Sequence, residues 1–344
     1  MSFESNGHIF HWEDVSGEYE FFVGYQLDDG SLTYNGVEPI HFFVETAPEY
    51  CILYAVHDKG LNDSQFITID LSAGLKGDMK PLGPLYPGRD IEGLALHPLD
   101  NNLLYGSAGD HANVKCENLK SEDENLNGED ENLNAEGGEN LNGEDENLND
   151  ECEENLNGHV YTINRETGEL SLIGPTGFEK VSGLAFNSTD NSLWGWGRNE
   201  GKDNKWTGII KIDPETGKGT PIKQFDYRKH DMGGLAWSID GRKLYASGGS
   251  TLWVYDQDTQ TLEVACQHVA DGKVEGIDMQ PNGYLLVGVD YKNAQDRKTS
   301  ILAYDPENCK VVHKRVYEGL RYNDIESIVW PSSECNYISW LSAD

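Results

Sequence analysis

The stretch "DIEGLALHPLDNNLLYGSAG", residues 90–109, places two short apolar runs on either side of a turn rich in Pro, Asp and Asn. Such runs are typical of β-strands, and the turn formers between them indicate a hairpin. Similar wording returns at a regular interval, which predicts a repeat architecture. Further copies are found at 39–58, 180–199, 231–250, 273–292 and 324–343.

A second, shorter hairpin pattern alternates with the first, as in "VYTINRETGELSLIG", residues 160–174. An aromatic or aliphatic strand leads to Asp or Asn and a glycine-containing turn, and a second strand follows. The glycine supplies the positive φ that such a turn requires. Related copies are found at 20–36, 66–83, 209–222, 252–265 and 301–314.

Six inner and six outer hairpins predict six four-stranded sheets of about 40–50 residues each, the size of a propeller blade. We therefore predict one all-β domain over 1–344, a six-bladed β-propeller. Its sixth blade would join 16–37 to 320–344 and so remove an open sheet edge. The alternative is a five-bladed ring with a separate N-terminal extension. The other predicted blades cover about 38–88, 89–177, 178–228, 229–270 and 271–319.

Residues 116–157 form an acidic low-complexity segment that repeats ENLN or ENLK. It lacks aromatic and β-branched residues, so it cannot bury enough surface to offset its ordering entropy. The segment is predicted to be a mostly disordered loop inserted between the second and third strands of the second blade. Weak Ca²⁺ chelation and recruitment of a basic protein are two roles that its carboxylates suggest, although it does not match the EF-hand ligand pattern.

The net charge of −34 remains strongly acidic outside this segment, because residues 117–157 contribute only −15 of it. This charge argues against nucleic acid and anionic membranes as partners and favours cations, basic partners or a salty medium. The alternative is that the charge serves solubility alone. No apolar run reaches the length of a membrane span. The first residues lack a basic and apolar leader, so we expect a cytoplasmic protein, or a secreted one whose leader was removed.

The six cysteines show no zinc-binding spacing. We expect most of them to be small apolar core residues. Cys116 and Cys152 bracket the acidic segment and would be bridged in an oxidising compartment.

The residue directly before the glycine of each inner strand varies among copies, and we call this place the ring position. In a propeller the first strand of each blade lines the central channel, so these residues should surround the channel mouth. Three adjacent carboxylates there would either share protons and have raised pKa values, or bind a cation. Binding only water or free backbone amides is the structural alternative. In chain order the ring position holds His41, Glu92, Ser182, Gly233, Glu275 and Glu326.

The Glu-Gly pairs that open the inner strands resemble the regucalcin/gluconolactonase superfamily, and "DIEGLA" is similar to the esterase-like propellers related to phytase. The resemblance implies one divalent cation in the channel mouth and hydrolysis of a lactone or ester. Carried over by position, it implies Glu92, Glu275 and Glu326 as ligands, and His41 would be a fourth. His41, Ser182 and Gly233 depart from the Asn or Asp that the family often has. Oxygen ligands favour Ca²⁺, while Mg²⁺ or Mn²⁺ would also fit.

Loops that reach the same face supply candidates for catalysis and for binding a small-molecule substrate or ligand. A base could come from Asp110, His111 or His230, and an Arg could hold an anionic group. The candidate ligand-binding residues are Arg198, Arg228, Asp290 and Asp324.

The sequence leaves three functions open. The first is a metal-dependent hydrolase of a lactone, ester or phosphoester. The second is a non-catalytic propeller that binds a ligand or protein and carries a structural cation. The third is a scaffold that uses its acidic loop. No nucleophile elbow, P-loop, dinucleotide fingerprint or HExxH motif is present in the sequence, which leaves metal-centred chemistry or plain binding.

Overall fold

The structure is a computed structural model that describes the side chains of nine stretches and, for some further strands, the backbone alone. The stretches with side chains are 51–59, 62–71, 79–100, 102–113, 155–201, 205–291, 298–317, 324–331 and 335. The regular secondary structure of the described residues consists of β-strands. Among these residues there is no helix that could cross a membrane.

The first six strands form three two-stranded sheets. Strand β1 (Ser2–Ser5) pairs with β2 (His8–His11), and β4 (Gly24–Gln26) pairs with β5 (Leu32–Tyr34). Strand β3 (Gly17–Phe21) pairs with β6 (Ile40–Val44).

Three strands of the first blade follow, and they are β7 (Ile52–Asp58), β8 (Ser64–Asp70) and β9 (Met79–Tyr86). Blade 2 consists of β10 (Ile91–Leu96), β11 (Leu103–Ala108), β14 (His159–Asn164) and β15 (Leu170–Pro175). Between its second and third strands, β12 (Asn113–Lys115) pairs with β13 (Glu153–Asn155), at the two ends of the acidic segment. Residues 116–152 lie outside the described residues. The predicted disorder of the segment and the predicted Cys116–Cys152 bridge concern those residues.

The next three blades follow in order along the chain. Blade 3 is β16 (Lys180–Asn187), β17 (Ser192–Asn199), β18 (Trp206–Ile212) and β19 (Gly219–Gln224). Blade 4 is β20 (Leu235–Trp237), β21 (Lys243–Gly248), β22 (Thr251–Asp256) and β23 (Thr261–Cys266). Blade 5 is β24 (Lys273–Met279), β25 (Leu285–Asp290), β26 (Lys298–Asp305) and β27 (Lys310–Glu318).

The last strand, β28 (Ile325–Val329), closes the ring by pairing with β7, so blade 1 has the order β28-β7-β8-β9. The described part of the chain therefore contains five four-stranded blades, and the predicted count of six is wrong. One edge of β7 accepts only one partner, and β28 takes the place predicted for residues 40–44, which pair with β3 instead. The five-bladed alternative agrees with this count. The side chain of His41 lies outside the described residues.

Apolar packing explains why β28 joins β7. Ile325 and Ile328 are fully buried in one cluster with Leu53 and Ala55 of β7. A disulfide between Cys51 and Cys335 joins the residue before β7 to the chain that follows β28, across 284 positions of sequence. We call this junction of the two ends of the ring the closing seam.

The four cysteines within the described residues form two disulfides, the second between Cys266 and Cys309. Three of these four cysteines, Cys51, Cys266 and Cys335, lie in the apolar core as expected, but all four are disulfide-bonded. The sequence does not reveal these pairings, because the partners are distant along the chain.

Candidate functional site

A β-bulge marks the ring position in four of the five inner strands. The strand register shifts between Ile91 and Gly93, and the other three shifts also include the ring position. A bulge leaves a residue unpaired and re-aims its side chain. The ring-position side chains are thus released from the regular alternation of the sheet.

Glycine follows the ring position because neighbouring inner strands approach closely. A Cβ on Gly183 would collide with the carbonyl oxygen of Gly233, and one on Gly276 would collide with the backbone of Ser327 and Ile328. In the closing strand the residue after the ring position is Ser327, whose Oγ accepts a hydrogen bond from the Leu94 amide at 3.0 Å. This layer narrows the channel just below the ring position.

Above this layer, Glu92, Glu275 and Glu326 line one cavity of about 70 Å³, which we call the upper mouth. Ser182 and Gly233, the other two ring-position residues, line it as well. In the five-bladed ring the three glutamates are consecutive, since blade 1 follows blade 5. The carboxylates therefore occupy one side of the upper mouth.

Two lysines of the upper mouth were not among the residues singled out from the sequence. Lys180 Nζ lies 2.7 Å from Glu92 Oε1 and 3.6 Å from Asp110 Oδ1. Lys273 Nζ lies 2.5 Å from Glu275 Oε1. Both lysines stand two residues before a ring position, where the other three inner strands carry Asp90, Asp231 and Asp324. That alternation of charge in the repeat is the signal that could have revealed them.

Asp58, at the end of β7, carries a buried carboxylate with one oxygen that has no hydrogen-bond partner among the described residues. Its side chain belongs to a residue only 9% exposed, and its Oδ1 has no hydrogen-bond partner among the described residues. Its backbone N–H donates to Asp324 O at 3.0 Å. Burial, followed by the charges of Asp90, Asp324 and Glu92, raises the pKa of Asp58 to about 8. Asp58 was not among the site residues predicted from the sequence.

The neighbouring carboxyls show the same electrostatic strain. Burial raises the pKa of Glu92 to about 7, although Lys180 counteracts part of the rise. Burial, then Glu275, Glu92 and Asp324, raises the pKa of Glu326 well above its usual range. Burial also lowers the pKa of Lys180, but Glu92 and nearby aspartates outweigh it, so the net pKa is raised. The lysines of this site thus do not supply enough positive charge to neutralise its carboxylates when these are ionised.

Asp90, Asp110 and His111 form a second group beside the upper mouth, and their ligating atoms lie within 4.8 Å of one another. His111 donates its backbone N–H to Asp90 Oδ2 at 2.8 Å, and its Nδ1 lies 3.1 Å from Asp110 Oδ1. Asp90 has a φ of 49°, an uncommon conformation for a residue other than glycine. A Cβ on Gly109 would collide with carboxylate oxygens of both Glu92 and Asp90, so glycine leaves this space to the two acids.

The remaining candidates lie apart from this acidic side or are already engaged. Arg198 contacts Asp231 at 2.8 Å, Glu200 at 3.0 Å and the Tyr227 hydroxyl at 2.9 Å. His230 Nδ1 donates a hydrogen bond to Asp226 O, 3.1 Å away, and its ring packs against Phe225 and Trp253.

The last three candidates do not add a side chain to the acidic side of the upper mouth. Arg228 is exposed and does not line the upper mouth, and Asp290 is buried opposite Lys273 in the β24–β25 ladder. Asp324 reaches the site through its backbone oxygen, which accepts from Asp58.

No protein-family model matches the chain, and no curated protein is similar to it in sequence. Among solved structures, the chain is similar to Kuenenia stuttgartiensis hydrazine synthase, with 12% identity and a TM-score of 0.37. That match covers 67% of this chain and about half, 50%, of the other. The chain is also similar to a chain of a nidogen/laminin complex, with 10% identity and a TM-score of 0.44. That match covers 83% of this chain and 100% of the other.

Proposed function

We propose that this protein is a divalent-cation-binding β-propeller whose ion, with Ca²⁺ preferred, is held at the acidic side of the upper mouth. The proposed ligands are Asp58, Asp90, Glu92 and Glu326. Their oxygens would have to move together on binding, because Asp90, Asp110 and His111 are the one group of the described residues whose ligating atoms already lie within 4.8 Å of one another. The observation that carries the proposal is the buried Oδ1 of Asp58, which has no partner among the described residues and interacts with the charges of Asp90 and Glu92. A cation would supply the missing partner.

The donor set fits a hard cation. Carboxylate oxygens are the ligands that Ca²⁺ and Mg²⁺ prefer, and Ca²⁺ tolerates irregular geometry better than Mg²⁺ does. His111, next to Asp110, extends the choice to Mn²⁺. Lys180 and Lys273 hold Glu92 and Glu275 in ion pairs, so an ion would compete with a lysine for either of these carboxylates.

The proposed position gives the ion a structural role. Asp58 belongs to β7, Glu326 to β28, and Glu92 to the inner strand of blade 2. An ion held by all three would join the closing seam to the next blade. This arrangement supports the non-catalytic reading, in which the cation locks the ring.

A thermal melt tests this proposal. Ca²⁺ should stabilise the wild-type chain against unfolding by about 2.7 kcal/mol at a free concentration about 100 times its Kd. Asp58→Asn should lose most of this shift, whereas Asp258→Asn, which removes an exposed acid from an outer turn, should keep it. Absence of a shift with Ca²⁺, Mg²⁺ and Mn²⁺ would contradict the proposal.

A deletion variant separates the upper mouth from the acidic segment. Since β12 and β13 bring the two ends of the segment together, residues 117–151 can be replaced by a short turn. The Ca²⁺ shift should persist in this variant. Loss of the shift would instead assign the ion to the segment.

Hydrolysis of a small lactone, ester or phosphoester is a second proposed function. It is supported by the pairing of His111 with Asp110 next to Lys180, which offers a base and a positive charge beside the proposed ion. The cation would polarise the substrate oxygen. The proposal predicts Ca²⁺-dependent cleavage of p-nitrophenyl acetate, δ-gluconolactone or p-nitrophenyl phosphate.

A matched pair of histidine variants tests catalysis. His111→Asn should reduce kcat by about 100-fold, the usual contribution of general base catalysis. His268→Asn is the control, because His268 is exposed and its φ of 55° suits Asn. Turnover that is absent with all three substrates, alongside a normal Ca²⁺ shift, would favour the non-catalytic function.

An oxidising compartment is the proposed location, supported by the two disulfides. Alkylation of native protein before and after reduction should show these cysteines protected only before reduction.

A further inference from the structure

The opposite end of the channel contains a larger cavity of about 260 Å³, which we call the lower mouth. All five inner strands contribute to it, because its wall includes the residue four places after each ring position. Those five residues are Leu96, Phe186, Trp237, Met279 and Trp330. Small-molecule sites typically have a volume of roughly 300–1,000 Å³ and a mainly apolar lining, so this cavity suits a small ligand.

Among the described residues that line the cavity, one carboxylate interrupts a mainly apolar wall. Three places after the ring position the inner strands of blades 2, 3 and 4 carry Ala95, Ala185 and Ala236, and β28 carries Val329. Blade 5 carries Asp278 there, and Asp278 lines the cavity. Packing in the other four blades needs only a small or branched apolar residue, so the repeat itself does not explain a carboxylate.

No cation neutralises Asp278 within the described residues. Its Oδ2 accepts the Trp330 N–H at 2.6 Å and its Oδ1 accepts the Met279 N–H at 2.8 Å. Each carboxylate oxygen can accept a further bond. Neither Lys nor Arg is among the described residues that line the cavity. His97 lines it, but its Nδ1 already accepts the N–H groups of Leu99 and Asp100.

We propose that the lower mouth binds a small organic ammonium ion, a primary amine on an aromatic body, with the Asp278 carboxylate as its counter-ion. Phe186, Trp237 and Trp330 supply the aromatic lining, and cations bind favourably to the faces of such rings. An ammonium ion paired with a carboxylate inside an apolar wall forms a stronger hydrogen bond than a neutral group would. This inference does not depend on the cation site at the upper mouth.

The polar groups that remain in the wall favour an amine that also carries an oxygen atom. Trp237 Nε1 and Gln280 Nε2 are buried donors without a partner among the described residues. Both residues line the lower mouth. A hydroxyl oxygen on the ligand would give one of these donors an acceptor, so tyramine should bind more tightly than phenethylamine.

Tryptophan fluorescence provides the test, because Trp237 and Trp330 line the cavity. Phenethylamine should bind at least about 10-fold more tightly than 2-phenylethanol, its neutral analogue, since ion pairing to a partly desolvated carboxylate contributes at least about 1.4 kcal/mol. Phenylacetate should bind more weakly than either. Equal affinity for amine and alcohol would overturn the proposal without any variant.

Asp278→Asn should reduce the affinity for phenethylamine to that for 2-phenylethanol, and Asp258→Asn should not change it. Asp278 also holds the end of β28, so the folding of each variant is checked by its melt and by its disulfide content. A folded Asp278→Asn variant with wild-type amine affinity would overturn the proposal. Tighter binding of Nα-acetyl-lysine methylamide than of phenethylamine would overturn the aromatic body in favour of a lysine side chain.

Discussion

The same five inner strands line both mouths of the channel. The chemistry of the lining changes over only four residues along each strand. At the upper mouth the ring position holds Glu in three blades and Ser or Gly in the other two. At the lower mouth the corresponding residues are all apolar. The bulge at the ring position accounts for part of this difference, because it frees the upper side chains from the ladder while the lower ones continue it.

The closing seam also differs between its two ends. Near the start of β7 it is held covalently, by the Cys51–Cys335 disulfide. At the upper mouth the described contacts are the hydrogen bonds that Asp58 N–H and His57 Nδ1 make with Asp324 O, both 3.0 Å long. One end of the closing seam is thus fixed by a disulfide, and the end at the upper mouth contains carboxylates that repel one another.

Removing the disulfide of the seam should have the largest effect on stability. In the chain-entropy model, the disulfide that closes a loop of 284 residues stabilises the fold by about 6 kcal/mol, and the one that closes a loop of 43 residues by about 4 kcal/mol. We therefore expect Cys51→Ala/Cys335→Ala to lower the free energy of unfolding more than Cys266→Ala/Cys309→Ala does. Urea melts of both variants measure the difference, and a smaller loss in the first variant would show that β28 packing alone closes the ring.

The glycine layer separates the two mouths, and its disruption should have the next largest effect. Gly183→Ala places a Cβ against the backbone of the neighbouring inner strand, so we expect a loss of about 3 kcal/mol. Gly201→Ala is the control, since its Cβ would meet only a glutamate oxygen at 3.7 Å, and it should stay within about 0.5 kcal/mol. Comparable losses in chemical denaturation would mean that the strands can move apart.

The repeats predicted the blades, the inner strands and the place where the glutamates meet, because hairpin patterning and turn residues are local properties. The blade count was beyond them, since residues 40–44 and 325–329 both read as inner strands, of different blades, and tertiary packing of Ile325 and Ile328 decides which of them pairs with β7. Lys180 and Lys273 were detectable in the repeat alignment. The unpartnered oxygen of Asp58 was not, because burial and lack of a partner depend on three strands meeting.

Replacing Asp58 should have opposite effects with and without a cation. In the absence of divalent ions Asp58→Asn removes an acid whose raised pKa disfavours the folded chain near neutral pH, and it should stabilise the chain by about 2 kcal/mol. With saturating Ca²⁺ the variant should become less stable than the wild type. Melts in EDTA and in Ca²⁺ measure both signs, and a variant that is destabilised in EDTA would show that the acid has a partner.

Asp278 of the lower mouth should give the free energy of unfolding a small dependence on pH. Burial raises the pKa of Asp278 to about 7, despite the opposing hydrogen bonds from Trp330 and Met279. Between about pH 4 and pH 7 the unfolded chain has lost this proton while the folded chain retains it, so the contribution of Asp278 to stability decreases as pH rises through this window.

Asp278→Asn should therefore gain stability relative to the wild type across the same window, and the gain should level off above about pH 7. The side chain is partly open to the cavity, so we expect about 0.5 kcal/mol per pH unit, below the limit of about 1.4 kcal/mol for a whole proton. Urea melts at several pH values measure the slope, with Asp258→Asn as the control that should follow the wild type. Parallel slopes in all three proteins would mean that the carboxylate stays ionised in the folded chain.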